Sequence, residues 1–255
     1  MKLVGIIPAH LASIRFPRKI LYKFKGVPML EHVRRRALQS TLLSRVIVAT
    51  CDKEIADVIK NYGGEVIMTS KKHKNGTSRV AEAVSKIECS HVLLLQGDEP
   101  LILPDHIDKI GKKIKNHPEI NSWNAIGKLE RESELNKHSF VKCAISKNGK
   151  ILYCFRKSPS YATFLENQKY IFKVLGIIAY RKDILLKLAQ SNQVDSEKNE
   201  HIEQLRILEY GYDLFSVLLN STLPSVNEPD DIKVVESFLD QNSEQKNMLN
   251  LIEIL

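Results

Sequence analysis

Apolar positions along the first half of the chain follow two periods. Lys2 to Ala9 (KLVGIIPA) is a short, nearly continuous apolar run, the pattern of a buried strand. Pro28 to Ser40 (PMLEHVRRRALQS) opens on proline and spaces its apolar residues as a helix does. Arg45 to Cys51 is a β-branched strand. Asp52 is placed to cap the helix DKEIADVIKNYG, which closes at Gly63 and Gly64. Glu65–Thr69 then predicts a strand, Thr77–Ile87 a helix, His91–Gln96 (HVLLLQ) a strongly apolar strand and Pro104–Lys115 a helix. Strands of this kind alternating with helices predict an α/β fold with a mostly parallel, Rossmann-like sheet covered on both faces. Ligands of such sheets sit beyond the carboxyl ends of the strands, here just after Ala9, Thr50, Thr69 and Gln96.

The second half reads differently. Val141 to Phe155 predicts two short strands around Asn148-Gly149, a hairpin signal, and a loop rich in serine, tyrosine and proline follows. Lys173–Tyr180 is strand-like, Glu200–Tyr210 helical, Asp213–Leu219 a strand and Asp230–Leu239 a helix introduced by Pro229. The stretch Gln241–Leu255 begins polar and ends NMLNLIEIL, the pattern of a short amphipathic helix. An α/β body with an inserted hairpin arm fits this order better than two independent domains.

Composition narrows the classes. The chain has 255 residues, 43% hydrophobic and 27% charged, ordinary for a globular protein with a large core. No run approaches the ~18 apolar residues of a membrane span, and MKLVGIIPAH lacks a signal peptide's cleavage site, so a cytoplasmic protein with no membrane partner is expected. The four cysteines form no Cys-x-x-Cys pair, and no His-x-x-x-His pair suggests a zinc hydrolase. A net charge of +8 favours an anionic partner, but the basic residues are dispersed and aromatics are 7%, so nucleic acid is not expected.

Two stretches carry candidate chemistry. The loop after the first strand, His10 to Lys19, places Ser13, Arg15, Arg18 and Lys19 beyond a strand end. Such a loop can neutralise a triphosphate and the charge that develops on a leaving group; an ordinary basic surface loop is the alternative. It is neither a Walker A loop nor a GxGxxG turn. Gln96-Gly97-Asp98-Glu99-Pro100 then delivers a carboxylate to the same edge, where Asp98 could share a phosphate-bound magnesium ion or simply cap a turn.

Together these stretches, Ile7-Pro8-Ala9 with Ser13, Arg15, Pro17 and Lys19, then Gln96–Pro100, resemble the sugar-acid cytidylyltransferases, most closely the 3-deoxy-manno-octulosonate cytidylyltransferase (CMP-Kdo synthetase) family. Further similar stretches come in order: Met68-Thr69, His73 and Gly76-Thr77-x-Arg79; Val141-Lys142, Leu152-Tyr153 and Arg156; Leu175-Gly176-Ile177 and Tyr180-Arg181; Glu197, Glu200 and Glu203-Gln204-Leu205-Arg206; and Val226-x-x-Pro229-x-Asp231. The resemblance implies the nucleotide-diphospho-sugar transferase fold as one nucleotidyltransferase domain over residues 1–240, with a dimerisation arm at about 138–200, a tail over 241–255, and a homodimer. It implies CTP and a 2-keto-3-deoxy sugar acid as substrates, Mg2+ as cofactor, and a CMP-sugar for lipopolysaccharide or another surface glycan as product.

By the same resemblance, Arg15, Lys19 and Asp98 are catalytic. Ala9, His10, Ser13, Asn75, Gly76 and Arg79 bind nucleotide, and Gln96, Arg156, Val174, Ile178, Glu203 and Gln204 line the sugar side. Asp98 and Asn227 face the metal. This chain departs from the family at His10 (arginine there), Asn75 (serine), Val174 (histidine), Ile178 (tyrosine) and Asn227 (aspartate). A different sugar acid, such as an amino-Kdo or capsule sugar, and a degenerate nucleotide-binding paralogue are therefore the alternatives.

Overall fold

A computed structural model describes residues 1–253. In chain order its elements begin with β1 (Leu3–Ala9), β2 (Lys23–Phe24), β3 (Val27–Pro28), α1 (Met29–Leu38), β4 (Arg45–Thr50), α2 (Lys53–Asn61), β5 (Glu65–Met68), α3 (Gly76–Ser85), β6 (His91–Leu95) and α4 (Pro104–Asn116). There follow β7 (Ser122–Gly127), β8 (Lys142–Ile145), β9 (Ile151–Phe155), α5 (Phe164–Asn167), β10 (Ile171–Arg181), α6 (Lys182–Gln190), α7 (Asp195–Glu200), α8 (Gln204–Glu209), β11 (Leu214–Leu218), α9 (Asp231–Gln241) and α10 (Ser243–Glu253). The chain forms two compact units, Met1–Gly111 with Leu223–Leu255, and Lys112–Thr222. The expected α/β class is the class observed. Among the described residues no helix is long and apolar enough to cross a membrane.

In the first unit β6, β1, β4 and β5 lie side by side, all parallel. β1, β4 and β6 are buried almost throughout, which is why each reads as an unbroken apolar run rather than an alternation. The missed hairpin β2–β3 turns through Lys25 (φ 50°) and Gly26 (φ 82°), both left-handed, as a two-residue connection requires. Helix α2 closes as its glycines predict. Gly63 adopts φ 69°, its N–H donates to the Lys60 carbonyl (2.8 Å), and the Gly64 N–H donates to that of Ile59 (2.9 Å), the two bonds of a Schellman motif.

In the second unit β7 lies between β11, which it pairs in parallel, and β10, which it pairs antiparallel; β8 joins β10 and β9, again antiparallel. The β8–β9 hairpin turns at Gly149 (φ 85°), with the Ser146 N–H donating to the Lys150 carbonyl (2.8 Å). Strand β7 was not expected. All six of its residues are buried, yet Ser122 and Asn124 interrupt the apolar run. Their polar groups are satisfied from outside the strand: Ser122 donates to the Asp213 carbonyl (2.7 Å), and Asn124 Nδ2 to that of Leu175 (2.9 Å). Helix α6 was also unassigned. The helix expected over Glu200–Tyr210 is a correction: the chain breaks at His201, in the left-handed region (φ 53°), into α7 and α8. Arg156 holds both carbonyls exposed by the break, those of Glu200 (2.9 Å) and His201 (3.0 Å). The tail forms α10 as its pattern suggests; residues 254 and 255 lie outside the described range.

The end of α2 generates a stability test. Gly63→Ala is expected to cost about 1 kcal/mol, the penalty of a side chain in the left-handed region. Gly64→Ala is expected to cost more, roughly 2 kcal/mol. A Cβ there would lie 2.5 Å from Ile59 Cγ2 and 2.8 Å from Arg34 Nε. Arg34 cannot swing away, being tied to Glu31 through two bonds (2.6 and 2.7 Å) and to the Tyr62 carbonyl. Urea unfolding midpoints of the two variants check the order.

Candidate active site

The strand sequence in the first unit reverses at β1: β4 and β5 extend to one side and β6 lies on the other. The carboxyl ends of β1 and β6 therefore flank a crevice. A cleft of about 540 Å³ opens there. Ala9 ends β1, and His10 and Ser13 follow it into the cleft wall; Gln96 and Asp98 follow β6. Asn75, Gly76 and Arg79 enter from the start of α3, and Lys19 from the end of the first loop.

Lys19 and Asp98 are engaged with each other. The Lys19 ammonium donates to Asp98 Oδ2 (2.7 Å) and to the Val226 carbonyl (2.7 Å). The pair is largely screened from solvent, with side chains 14% and 27% exposed. The Val226 N–H donates to the Asp98 backbone carbonyl (2.9 Å), so three distant stretches of chain meet around the Lys19–Asp98 pair.

Helix α3 is fitted to its place by its first residues. Asn75, where the resembling family carries serine, is the N-cap, its Oδ1 accepting from the Ser78 N–H (2.9 Å). Gly76 lies so close to β1 that a Cβ there would meet Pro8 Cγ at 3.1 Å. Arg79 is buried and donates to Thr69 Oγ1 (2.6 Å). The segment before α3 is pinned by Glu82, whose Oε2 accepts from the Ser70 N–H (2.9 Å) and meets His73 Nε2 at 2.5 Å. These bonds, the Ser70 N–H first, pull the Glu82 carboxyl down to about 2. Lys71 and Lys74 on this segment also line the cleft, and neither was singled out from the sequence. Three lysines between Ser70 and Asn75, directly after a strand end, were the signal available.

Other placements differ from expectation. Asp52 is the N-cap residue of α2, but its side chain does not cap that helix. Its Oδ2 accepts from the Leu11 N–H (2.9 Å), so it organises the loop after β1 instead. His10 lines the cleft with its pKa lowered, first by burial and next by the Arg79 charge, with Asp52 pulling the other way. Arg15 lies outside the cleft lining on an exposed loop, with only 3.5 Å contacts to Glu228 and Asn227. Asn227 is also outside the lining. Nor does it cap α9: Asp231 Oδ2 accepts from its backbone N–H (2.7 Å), and its Nδ2 donates to Ser225 Oγ (3.0 Å).

The remaining expected residues belong to the second unit. The Arg156 guanidinium is shared among backbone carbonyls, that of His138 (2.9 Å) besides the two at the α7–α8 break. Gln204 Nε2 donates to Asn124 Oδ1 (3.0 Å), and Glu203 is the residue before α8. Val174 and Ile178 lie on β10 on either side of a register shift, opposite Ile126 and Asn124 of β7. Glu197 and Arg206, quoted only as motif letters, form a bidentate pair (2.6 and 2.5 Å) that fixes α7 against α8.

The family model for cytidylyltransferases matches residues 4–215. The chain is 35% identical over 240 residues to a 3-deoxy-manno-octulosonate cytidylyltransferase of Chlamydia abortus, covering 93% of this chain and 94% of that one. It is 35% identical over 248 residues to the enzyme of the same name from Geobacter metallireducens, at 92% and 97% coverage. A solved structure of a CMP:2-keto-3-deoxy-manno-octonic acid synthetase complexed with CTP superimposes with a TM-score of 0.89 at 32% identity, covering 94% of this chain and 99% of that one. The chain thus belongs to the cytidylyltransferases of the CMP-Kdo synthetase family.

Proposed function

We propose that this protein couples CTP to 3-deoxy-manno-octulosonate or a close 2-keto-3-deoxy sugar acid, releasing pyrophosphate and a CMP-sugar. The observation that carries this is the Lys19–Asp98 pair in a cation-rich cleft at the β1/β6 crevice, in a chain this similar to CMP-Kdo synthetases. The sugar's anomeric hydroxyl would give up its proton as its oxygen bonds to the α-phosphorus, and the bond from that phosphorus to the bridging oxygen of the β-phosphate would break, its electron pair leaving on pyrophosphate. Positioning and charge neutralisation supply most of the rate of such a displacement. Lys19, Arg15 and the cleft lysines would take the phosphates, while Ala9, Ser13, Asn75, Gly76 and Arg79 would take the cytidine.

The donor set suits Mg2+ held chiefly by the substrate. Among the described residues no cluster of three or more His, Cys, Asp or Glu could cage an ion unaided. Magnesium bound to phosphates needs only one or two carboxylates, and Asp98 supplies one. Asn227, adjacent to the Val226 backbone that bonds Asp98, offers a neutral oxygen. When bound, the ion would offset charge on the departing pyrophosphate. In the second unit Arg156 would act chiefly by holding its loop, since three of its five N–H donors go to backbone carbonyls. Gln96, Val174, Ile178, Glu203 and Gln204 would set the acceptor sugar. The arm exposes Leu152, Tyr153, Tyr161 and Leu165, which suits the proposed homodimer. A consumer of CTP belongs in the cytoplasm.

Pyrophosphate release tests the assignment. With Mg2+ and Kdo, CTP is expected to turn over far faster than ATP or GTP, and EDTA to abolish the rate; equal turnover with ATP would sink the cytidylyl reading. His10 generates a pH test. Its pKa is lowered in the free protein, so at neutral pH it is mostly uncharged. A bound triphosphate would raise that pKa, so binding takes up a proton and CTP affinity rises as pH falls from the bound toward the free value. His10→Gln is expected to flatten this slope to the nucleotide's own titration, and His10→Arg to bind tightly without it. CTP dissociation constants between about pH 8 and pH 6 decide; identical slopes in the three proteins would remove His10 from the phosphate site.

A further inference from the structure

We infer that the C-terminal helix α10 is a strut that positions the Asp98 loop from behind, with Gln245 and the buried guanidinium of Arg36 as its positioning residues. The inference rests on the role proposed for Asp98. The motifs that carry the family resemblance end at Asp231, before α10 begins. Yet α10 is tied to the centre of the first unit.

Gln245 is fully buried, near the start of the helix. Its Oε1 accepts from Arg36 Nη1 (2.8 Å), and its Nε2 donates to the Leu101 carbonyl (3.0 Å). Arg36 Nη1 also donates to the Ile102 carbonyl (3.3 Å). The far end of α10 is attached as well: Arg35 Nη1 donates to the Ile252 carbonyl (2.7 Å), and Arg35 is itself held by Glu31 (2.8 Å).

Leu101 and Ile102 are the end of the loop that carries Asp98. The Glu99 N–H donates to the Gln96 carbonyl (3.3 Å), and the Ile102 N–H to the Glu99 carbonyl (3.2 Å), so the loop is one turn stacked on another. β6 fixes its entrance. Gln245 and Arg36 fix its exit. With both ends set, the Asp98 carboxylate has little freedom to drift from Lys19. Arg36 is fully buried, and its Nε and Nη2 have no partner among the described residues. The contacts of Nη1 are therefore the ones that hold this charge in place, and losing Gln245 would leave it poorly compensated.

Gln245→Met keeps the shape and removes both bonds. Its expected signature is an increase of about tenfold in the magnesium needed for half-maximal rate and a similar fall in kcat, with KM for CTP nearly unchanged. In the nucleotide-free protein, amide hydrogen exchange should quicken over residues 97–103 and stay as in the parent over β4 and β5. Gln245→Glu keeps an acceptor for Arg36 and loses the donor to Leu101, so intermediate values are expected; it serves the same comparison if the methionine variant does not fold. Parent-like exchange over 97–103 would overturn the inference, as would faster exchange across the whole unit with unchanged kcat and magnesium dependence, which marks a helix that only stabilises. Asp98→Asn, assayed alongside, separates the two readings. If it stays active, the role of Asp98 has failed, whereas the exchange result still reports on the strut.

Discussion

Everything in the first unit converges on one half-buried carboxylate that cannot be left alone. Asp98 lies at the mouth of a strand buried from end to end, and withdrawing its charge from water without compensation would be costly. Lys19 compensates it, and the Val226 carbonyl steadies the lysine. That requirement ties the loop after β1, the loop after β6 and the entry to α9 to each other. A pair in this setting adds little net stability. On the proposed reading its worth is in exchange: a triphosphate takes the ammonium, a divalent cation takes the carboxylate, and neither charge is left unpaired.

The parallel half of the fold was legible because its strands are buried on both faces and its helices are punctuated. Pro28 and the Gly63-Gly64 pair mark ends that the structure reproduces within a residue or two. What was illegible has a common cause, polar groups satisfied by partners far away in sequence. Strand β7 looks unlike a strand because Ser122 and Asn124 are paid for by Asp213, Leu175 and Gln204. The continuous helix expected over Glu200–Tyr210 breaks because Arg156, some forty residues earlier, collects the carbonyls released at His201. Asp52 reads as a cap on local grounds, but its oxygen goes to Leu11. The cleft was legible in outline, since Ala9 ends a strand and Lys19, Asn75, Arg79 and Asp98 follow strand ends. Lys71 and Lys74 were passed over because lysines in a loop ordinarily mean no more than solvation.

Those lysines bear on the departure at His10. On the proposed reading, a histidine of lowered pKa where the resembling family has arginine leaves about one positive charge fewer on the phosphate side at neutral pH. Arg79 and Lys19 do not make up the loss, because both already belong to the motifs shared with the resembling family. The segment from Ser70 to Asn75 can. It brings two further ammonium groups to the cleft wall, on a backbone held down at Ser70 by Glu82 and at Ser78 by the Asn75 cap. Glu82 stays ionised far below neutrality, so the anchor persists over the whole range in which His10 changes charge. On the proposed reading, the charge facing a polyphosphate is thus moved from the end of β1 to a pinned, solvent-facing segment. Neutralisation by exposed lysines is screened by salt. On that reading this chain's hold on its nucleotide should therefore weaken as ionic strength rises, because the charges that face the polyphosphate sit on solvent-facing side chains.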